Sequence, residues 1–133
     1  MALPNPRIFA HLWNVGAGLP YSEEATQALI DGLTAVNAAW LRHHSAPPLY
    51  SSGVTYRRER GREHWQAIPE VLKRRTGDCE DLAAWRAAEL QAAGKKARAV
   101  LIKIRPRQYH VVVETPAGRE DPSRRLLPRR RRP

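Results

Sequence analysis

The chain has 133 residues, with 23 basic against 13 acidic side chains and a net charge of +10. That length suits one domain with a single modest core. Its one cysteine, Cys79, excludes an internal disulfide and a multi-cysteine zinc site, and no run reaches the roughly 18 apolar residues of a membrane-spanning helix. The opening MALPNPRIFAHLWNV lacks a basic stretch followed by an apolar one, so no signal peptide is read. Six of the arginines (Arg124, Arg125, Arg129, Arg130, Arg131 and Arg132) lie in residues 123–133, which leaves +4 for residues 1–122. The body is therefore only mildly basic, and a dedicated nucleic-acid-binding domain is not its first reading.

Residues 1–21, rich in Pro and Gly with Phe9, Trp13 and Tyr21, read as an irregular N-terminal arm. Ser22 followed by Glu23 and Glu24 marks a helix start, an N-cap with acids in the first turn. Ala25, Leu29, Leu33, Val36 and Trp40 then recur at steps of three or four and predict a helix over about 23–44, stopped by Pro47-Pro48. Residues 45–62 read as a loop with a short extended piece at Val54-Thr55-Tyr56. Trp65 to Leu72 predicts a two-turn helix with Pro69 in its first turn and Gly77 as its stop. From Cys79 a second principal helix runs to about Ala93, with Asp78 as N-cap, Glu80 and Asp81 complementing the dipole, and Gly94 after its end. Residues 96–105 alternate, with Val100, Ile102 and Ile104 on one face, and predict a strand. Gln108–Glu114 follows as a second strand, Pro116-Ala117-Gly118 as a turn, and Arg119–Asp121 as a third. The sum is an α+β domain over 22–122 with a small antiparallel sheet, and an Arg-rich tail, 123–133, read as mobile unless a partner holds it.

Cys79 stands at a helix start, where the dipole and the unpaired first-turn N–H groups favour a thiolate and can face an oxyanion. A cysteine nucleophile needs a base, usually His, and a group that orients the base. A hairpin turning at 116–117 pairs His110 with residue 123 and Val112 with Asp121, which makes His110 and Asp121 diagonal neighbours on one face; a bulged turn at Gly118 would separate them. Upstream side chains able to donate to an oxyanion are Trp65, Gln66 and Tyr56.

Thr76-Gly77-Asp78-Cys79-Glu80-Asp81-Leu82-Ala83, then Tyr109-His110-Val111-Val112-Val113, then Glu120-Asp121-Pro122-Ser123, resembles the transglutaminase-like cysteine-peptidase superfamily, in particular its short phage- and prophage-encoded forms. The resemblance covers about residues 50–125. It implies a papain-like α+β core with the nucleophile at the start of a helix followed by a small antiparallel sheet. It also implies Cys79 as nucleophile, His110 as general base and acid, and Asp121 as the orienting residue, with no cofactor and no metal. The superfamily places an oxyanion donor upstream of the nucleophile, read here as Trp65 or Gln66. Its expected partners are a peptide or protein substrate and other virion proteins, and its expected location is the host cytoplasm or the virion. An alternative from another class is a structural or adaptor protein of a tailed-phage particle that keeps the fold with its activity marginal or lost.

The bland readings stand beside these. A lone cysteine at a helix start is most often a small buried residue. The negative charge of Glu80 and Asp81 should raise the thiol pKa and oppose activation. His43 and His44, adjacent on a helix, point about 100° apart and do not make one ligand pair. Trp85 falls off the apolar face of its helix, so an arm or partner is expected to cover it. The arginine tail is either a solvated tail or a ligand for nucleic acid or an acidic surface.

Overall fold

The structure, a computed structural model, describes residues 22–58, 65–106 and 108–129. The predicted arm (1–21), most of the mixed-charge stretch before Trp65 and the last four residues of the tail lie outside the described residues. Helix α1 spans Glu23–Leu41, a 3-10 turn Leu49–Ser51, strand β1 Thr55–Tyr56, helix α2 Ile68–Arg74, strand β2 Thr76–Gly77 and helix α3 Cys79–Ala92. Strands β3 (Arg98–Arg105), β4 (Gln108–Thr115) and β5 (Gly118–Glu120) follow, and a short helix α4 covers Pro122–Arg125. The architecture is mixed helix and sheet, with β3-β4-β5 an antiparallel sheet and β1-β2 a small parallel pair.

Helix α3 is the centre of the molecule and is buried on both sides. Its alanine face, Ala83, Ala84 and Ala87 with Leu90, packs with Ile30 and Leu33 of α1 and with Ala99, Val111 and Val113 of the sheet. Small side chains there let helix and sheet approach closely. Its other side, Leu82 and Trp85, packs with Leu49, Val54, Ile68, Val71 and Leu126. Trp85 is 0% exposed and packs within this second cluster, so it is buried in the core and not left bare for a partner.

Ser22 caps α1 through Ala25 N–H as predicted, but the helix ends at Leu41, not near 44. Its buried stripe is rotated onto Ile30, Leu33, Thr34 and Asn37, because two polar residues find partners inside. Thr34 donates to the Ile30 carbonyl and Asn37 Oδ1 accepts from Ile68 N–H. Helix α2 starts three residues later than predicted, since Gln66 N–H goes to Asp81 and not into a helical turn. It stops at Arg75, whose φ of 62° is left-handed. Gly77 is therefore not the stop. It lies in β2, where a Cβ would come within 2.9 Å of Leu82 Cδ2.

The strand face expected to be apolar, Val100, Ile102 and Ile104, is not the one on the helices; Ala99 and Leu101 take that place and Ile104 is 52% exposed. Gln27 fixes this orientation. Its side-chain amide donates to the Ala99 carbonyl and accepts from Leu101 N–H, both at 2.9 Å, along the outer edge of β3. The third strand ends at Glu120, and Asp121 instead caps α4. The tail is thus ordered at its start: Leu126 is buried in the second cluster and its carbonyl accepts from Tyr56 N–H at 2.8 Å.

Candidate functional site

The β4–β5 hairpin turns at 116–117 with Thr115 opposite Gly118, Glu114 opposite Arg119 and Val113 opposite Glu120. This is the register that makes His110 and Asp121 diagonal neighbours. The two meet: His110 Nε2 lies 3.0 and 2.9 Å from the two carboxylate oxygens of Asp121. A carboxylate only accepts, so Nε2 carries a proton, and whenever the ring is neutral it is Nδ1 that holds the lone pair. Nδ1 has no hydrogen bond among the described residues. Asp121 also accepts from Arg124 N–H as the cap of α4, which fixes its plane. Burial works to raise the Asp121 carboxyl, but the His110 hydrogen bond and its charge outweigh it and hold it below the ordinary value.

Cys79 is half-buried at the first position of α3. Its Sγ faces β4 through a gap in the sheet. Because Gln27 takes the Ala99 carbonyl and Leu101 N–H on the outer edge, the groups of their partners Val113 and Val111 point toward β5. Strand β5 stops at Glu120, opposite Val113, so Val111 N–H meets no strand. It is directed instead at the Cys79 thiol. The thiol therefore lies against the residue that follows His110.

The thiol's own hydrogen bond goes to Glu80, at 3.3 Å from Sγ to Oε2, and not to the imidazole. Burial first, then the Glu80 and Asp78 charges and the Glu80 hydrogen bond, push the thiol far above its usual range; Val111 N–H pulls the other way. Glu80 is 5% exposed, and its Oε1 has no hydrogen-bond partner among the described residues. Burial and the neighbouring Asp81 and Asp78 charges raise its carboxyl too. The expected anion site in the first turn is occupied: Asp78 Oδ1 accepts from Cys79 N–H at 2.7 Å. Asp81 completes a capping box by accepting from Asp78 N–H at 3.1 Å. Ligand atoms of Asp78, Cys79 and Glu80 lie within 4.8 Å of one another, the one such group among the described residues.

The upstream donor candidates separate clearly. Gln66 is buried, with its amide nitrogen 3.0 Å from Asp81 Oδ2, so it braces α3 and does not face the thiol as a donor. Trp65 belongs to the first core cluster. Tyr56 is close enough to Asp78, Cys79 and Glu80 for their charges, after burial, to raise its phenol to about 12. It is an O–H donor at neutral pH, and its hydroxyl has no hydrogen-bond partner among the described residues.

Sequence reasoning missed a polar cluster behind Asp121. Glu120 accepts from Arg86 Nε and Nη2 and from Tyr50 Oη. Arg86 Nη1 also donates to Glu89 at 2.9 Å, and Glu89 takes Leu49 N–H. The Arg86 and Arg125 guanidinium groups both stack on the Tyr50 ring, 4.8 and 4.2 Å from its centroid. No periodicity pairs residues 34 positions apart in sequence. Of the tail arginines, Arg124, Arg125 and Arg129 are described, and Arg130, Arg131 and Arg132 lie outside the described residues. No helix among the described residues is long and apolar enough to cross a membrane. Comparison with protein-family models, with curated proteins and with solved structures finds no match.

Proposed function

We propose that this protein is a transglutaminase-like cysteine hydrolase that acts on a peptide or carboxamide bond through Cys79, His110 and Asp121, and that the structure is its resting state. The observation that carries the reading is the His110–Asp121 pair, with Nε2 held and Nδ1 open, one residue before the N–H that meets Sγ. In the reaction the thiol leaves Glu80 and its proton passes to His110 Nδ1 as sulfur bonds to the carbonyl carbon. The Tyr56 hydroxyl holds the resulting oxyanion. His110 then returns the proton to the departing amine or ammonia, leaving a thioester. Water, deprotonated by the same Nδ1, releases the acid and restores the thiol. The resemblance to short phage-encoded members makes a virion protein or a wall peptide link the natural substrate class, met in the host cytoplasm or the virion.

One observation favours a second reading, a structural or adaptor protein of a phage particle. The thiol is held protonated and the first-turn N–H beside it is already taken. One experiment decides between them. A set of peptidyl chloromethyl ketones is reacted with the full chain, and Cys79 labelling is followed by mass spectrometry in wild type and His110→Ala. The hydrolase predicts labelling that falls by roughly tenfold or more without His110. Equal labelling in both proteins overturns it in favour of the structural reading.

A further inference from the structure

We infer that Arg86 is a positioning residue for the His110–Asp121 pair, acting through Glu120. The inference rests on the hydrolase reading for its meaning in catalysis, and on geometry alone for its structural content. Asp121 lies between the last residue of β5 and the first of α4, held on the helix side by buried Pro122 and Ser123 and on the strand side by three strand pairs. Three pairs at a sheet edge do little to fix a side chain to within a few tenths of an ångström. The strand side is fixed by a further contact. Glu120, the residue before Asp121, receives two donors from Arg86 and a third from Tyr50 at 2.6 Å. These outweigh burial and hold its carboxyl below the ordinary value, so it stays an anion and a firm acceptor.

Arg86 is itself over-determined. Its guanidinium bonds Glu120 on one side and Glu89 on the other, and lies over the Tyr50 ring. It has one geometry available, because a planar fork with every edge engaged does not rotate. It also stands on α3, seven residues after Cys79 and so on the same helical face. One rigid helix therefore carries the nucleophile at its first residue and, two turns along, the clamp on the strand that carries the orienting acid. One of the links that set the placement of Asp121 relative to Cys79 therefore runs along α3 and through the Arg86–Glu120 ion pair, one residue from the acid. Arg125 of α4 closes the far side by stacking on Tyr50. The clamp thus joins α3, the 3-10 turn and β5 at the Glu120 carboxylate, with α4 seated on the Tyr50 ring.

The test is an NMR measurement on the full chain, since the position of Asp121 is read by the ring it holds. In wild type, the two His110 ring nitrogens should show a single tautomer, with the proton on Nε2. In Arg86→Met the nitrogen shifts should move toward a tautomer mixture, and the Nε2 proton should exchange at least about tenfold faster. Arg86→Lys restores the charge without the fork and should fall between the two. Glu120→Gln keeps an acceptor and serves where Arg86→Met does not fold; it should move the ring in the same direction by less. An Arg86→Met or Glu120→Gln protein that is folded, with the His110 spectrum of wild type, overturns the inference. The hydrolase reading fails by a different result, peptidyl labelling of Cys79 that ignores His110. Labelling that needs His110 together with an unmoved His110 in Arg86→Met leaves the hydrolase standing and removes the role of Arg86.

Discussion

The two halves of the site are built by opposite means. His110 and Asp121 form a pair in which each polar atom used has a partner that favours its working state: a carboxylate on Nε2–H, a backbone N–H on the carboxylate, and a guanidinium clamp one residue away. Cys79 is held by groups that favour its idle state: a carboxylate against the thiol, a second acid on its N–H, and burial. The difference teaches that the same helix N-terminus can serve two ends. Its dipole favours any anion, and here the anion is the Asp78 and Asp81 capping box and not the sulfur. Helix stability and thiol activation compete for the same N–H groups, and in this structure stability has taken them.

The largest expected effect falls on that capping box. Asp81 accepts from Gln66 N–H, Gln66 Nε2 and Asp78 N–H, all in the interior. Asp81→Ala leaves these donors buried and unpaired and should cost roughly 3–5 kcal/mol in the urea unfolding free energy. A loss below about 1 kcal/mol would mean that water replaces the carboxylate, and that the nucleophile half is looser than its hydrogen bonds imply.

Next comes the carboxylate on the thiol. Glu80→Gln removes one charge and keeps the side chain's shape. The thiol pKa should fall, since its neighbouring anion is gone. Each unit of fall is tenfold in thiolate below the pKa, so iodoacetamide alkylation at pH 8 should rise by about tenfold or more. His110→Ala should leave this small-reagent rate almost unchanged, because the resting thiol bonds Glu80 and not the ring. A rise in Glu80→Gln would sharpen the contrast between an idle half and a ready half. An unchanged rate would erase it.

The third effect separates the halves by pH. Asp121 is an acid whose carboxyl is lowered from 3.8 in the fold, so the folded state binds fewer protons there than the unfolded chain. Its stabilisation is fully present above the ordinary carboxyl range and is lost as pH falls through the lowered value. Glu80 and Asp81 are raised, so their sign is opposite. Their share is fully present below the ordinary carboxyl range and is lost as pH rises through the raised values. Asp121→Asn should therefore blunt the loss of stability below about pH 4 and leave the decline above it intact, as read from urea midpoints across pH. At neutral pH its cost should stay near or below about 1 kcal/mol, because the carboxylate is partly exposed.

The sequence carried the ready half further than the idle one. Spacing and period two allow two hairpin registers, and the one with the turn at 116–117, which the structure adopts, brings His110 and Asp121 together. The N-cap role of Asp78 is local. What spacing does not hold is competition. Glu80 and Asp81 read as acids that complement the helix dipole, and only the three-dimensional path of residues 65–68 and of β4 buries them. Trp85 misled for the same reason. A helix with core on both sides has no single apolar stripe, so a residue off the stripe is not thereby exposed. Alternation of large residues does not identify the core face of β3, because Ala99, small enough to admit α1, is the one that packs.

The smallest effect tests whether the two halves are joined through the sheet. Gln27 fixes which groups of β3 face outward, and by that choice leaves Val111 N–H facing Cys79. Gln27→Ala removes two hydrogen bonds at a part-buried sheet edge and a third to Asp31, and should cost only about 1 kcal/mol. The Leu101 amide, freed to water, should exchange roughly tenfold faster with deuterium. The strand cannot slip by one residue, since that would turn Ala99 and Val113 out of the core. Val111 N–H should accordingly keep its direction, and the alkylation rate of Cys79 should stay at the wild-type value. A change in that rate would show that the edge bond, and not the core, holds the strand in register. The gap that β5 leaves for the thiol would then be set by a single side chain on α1.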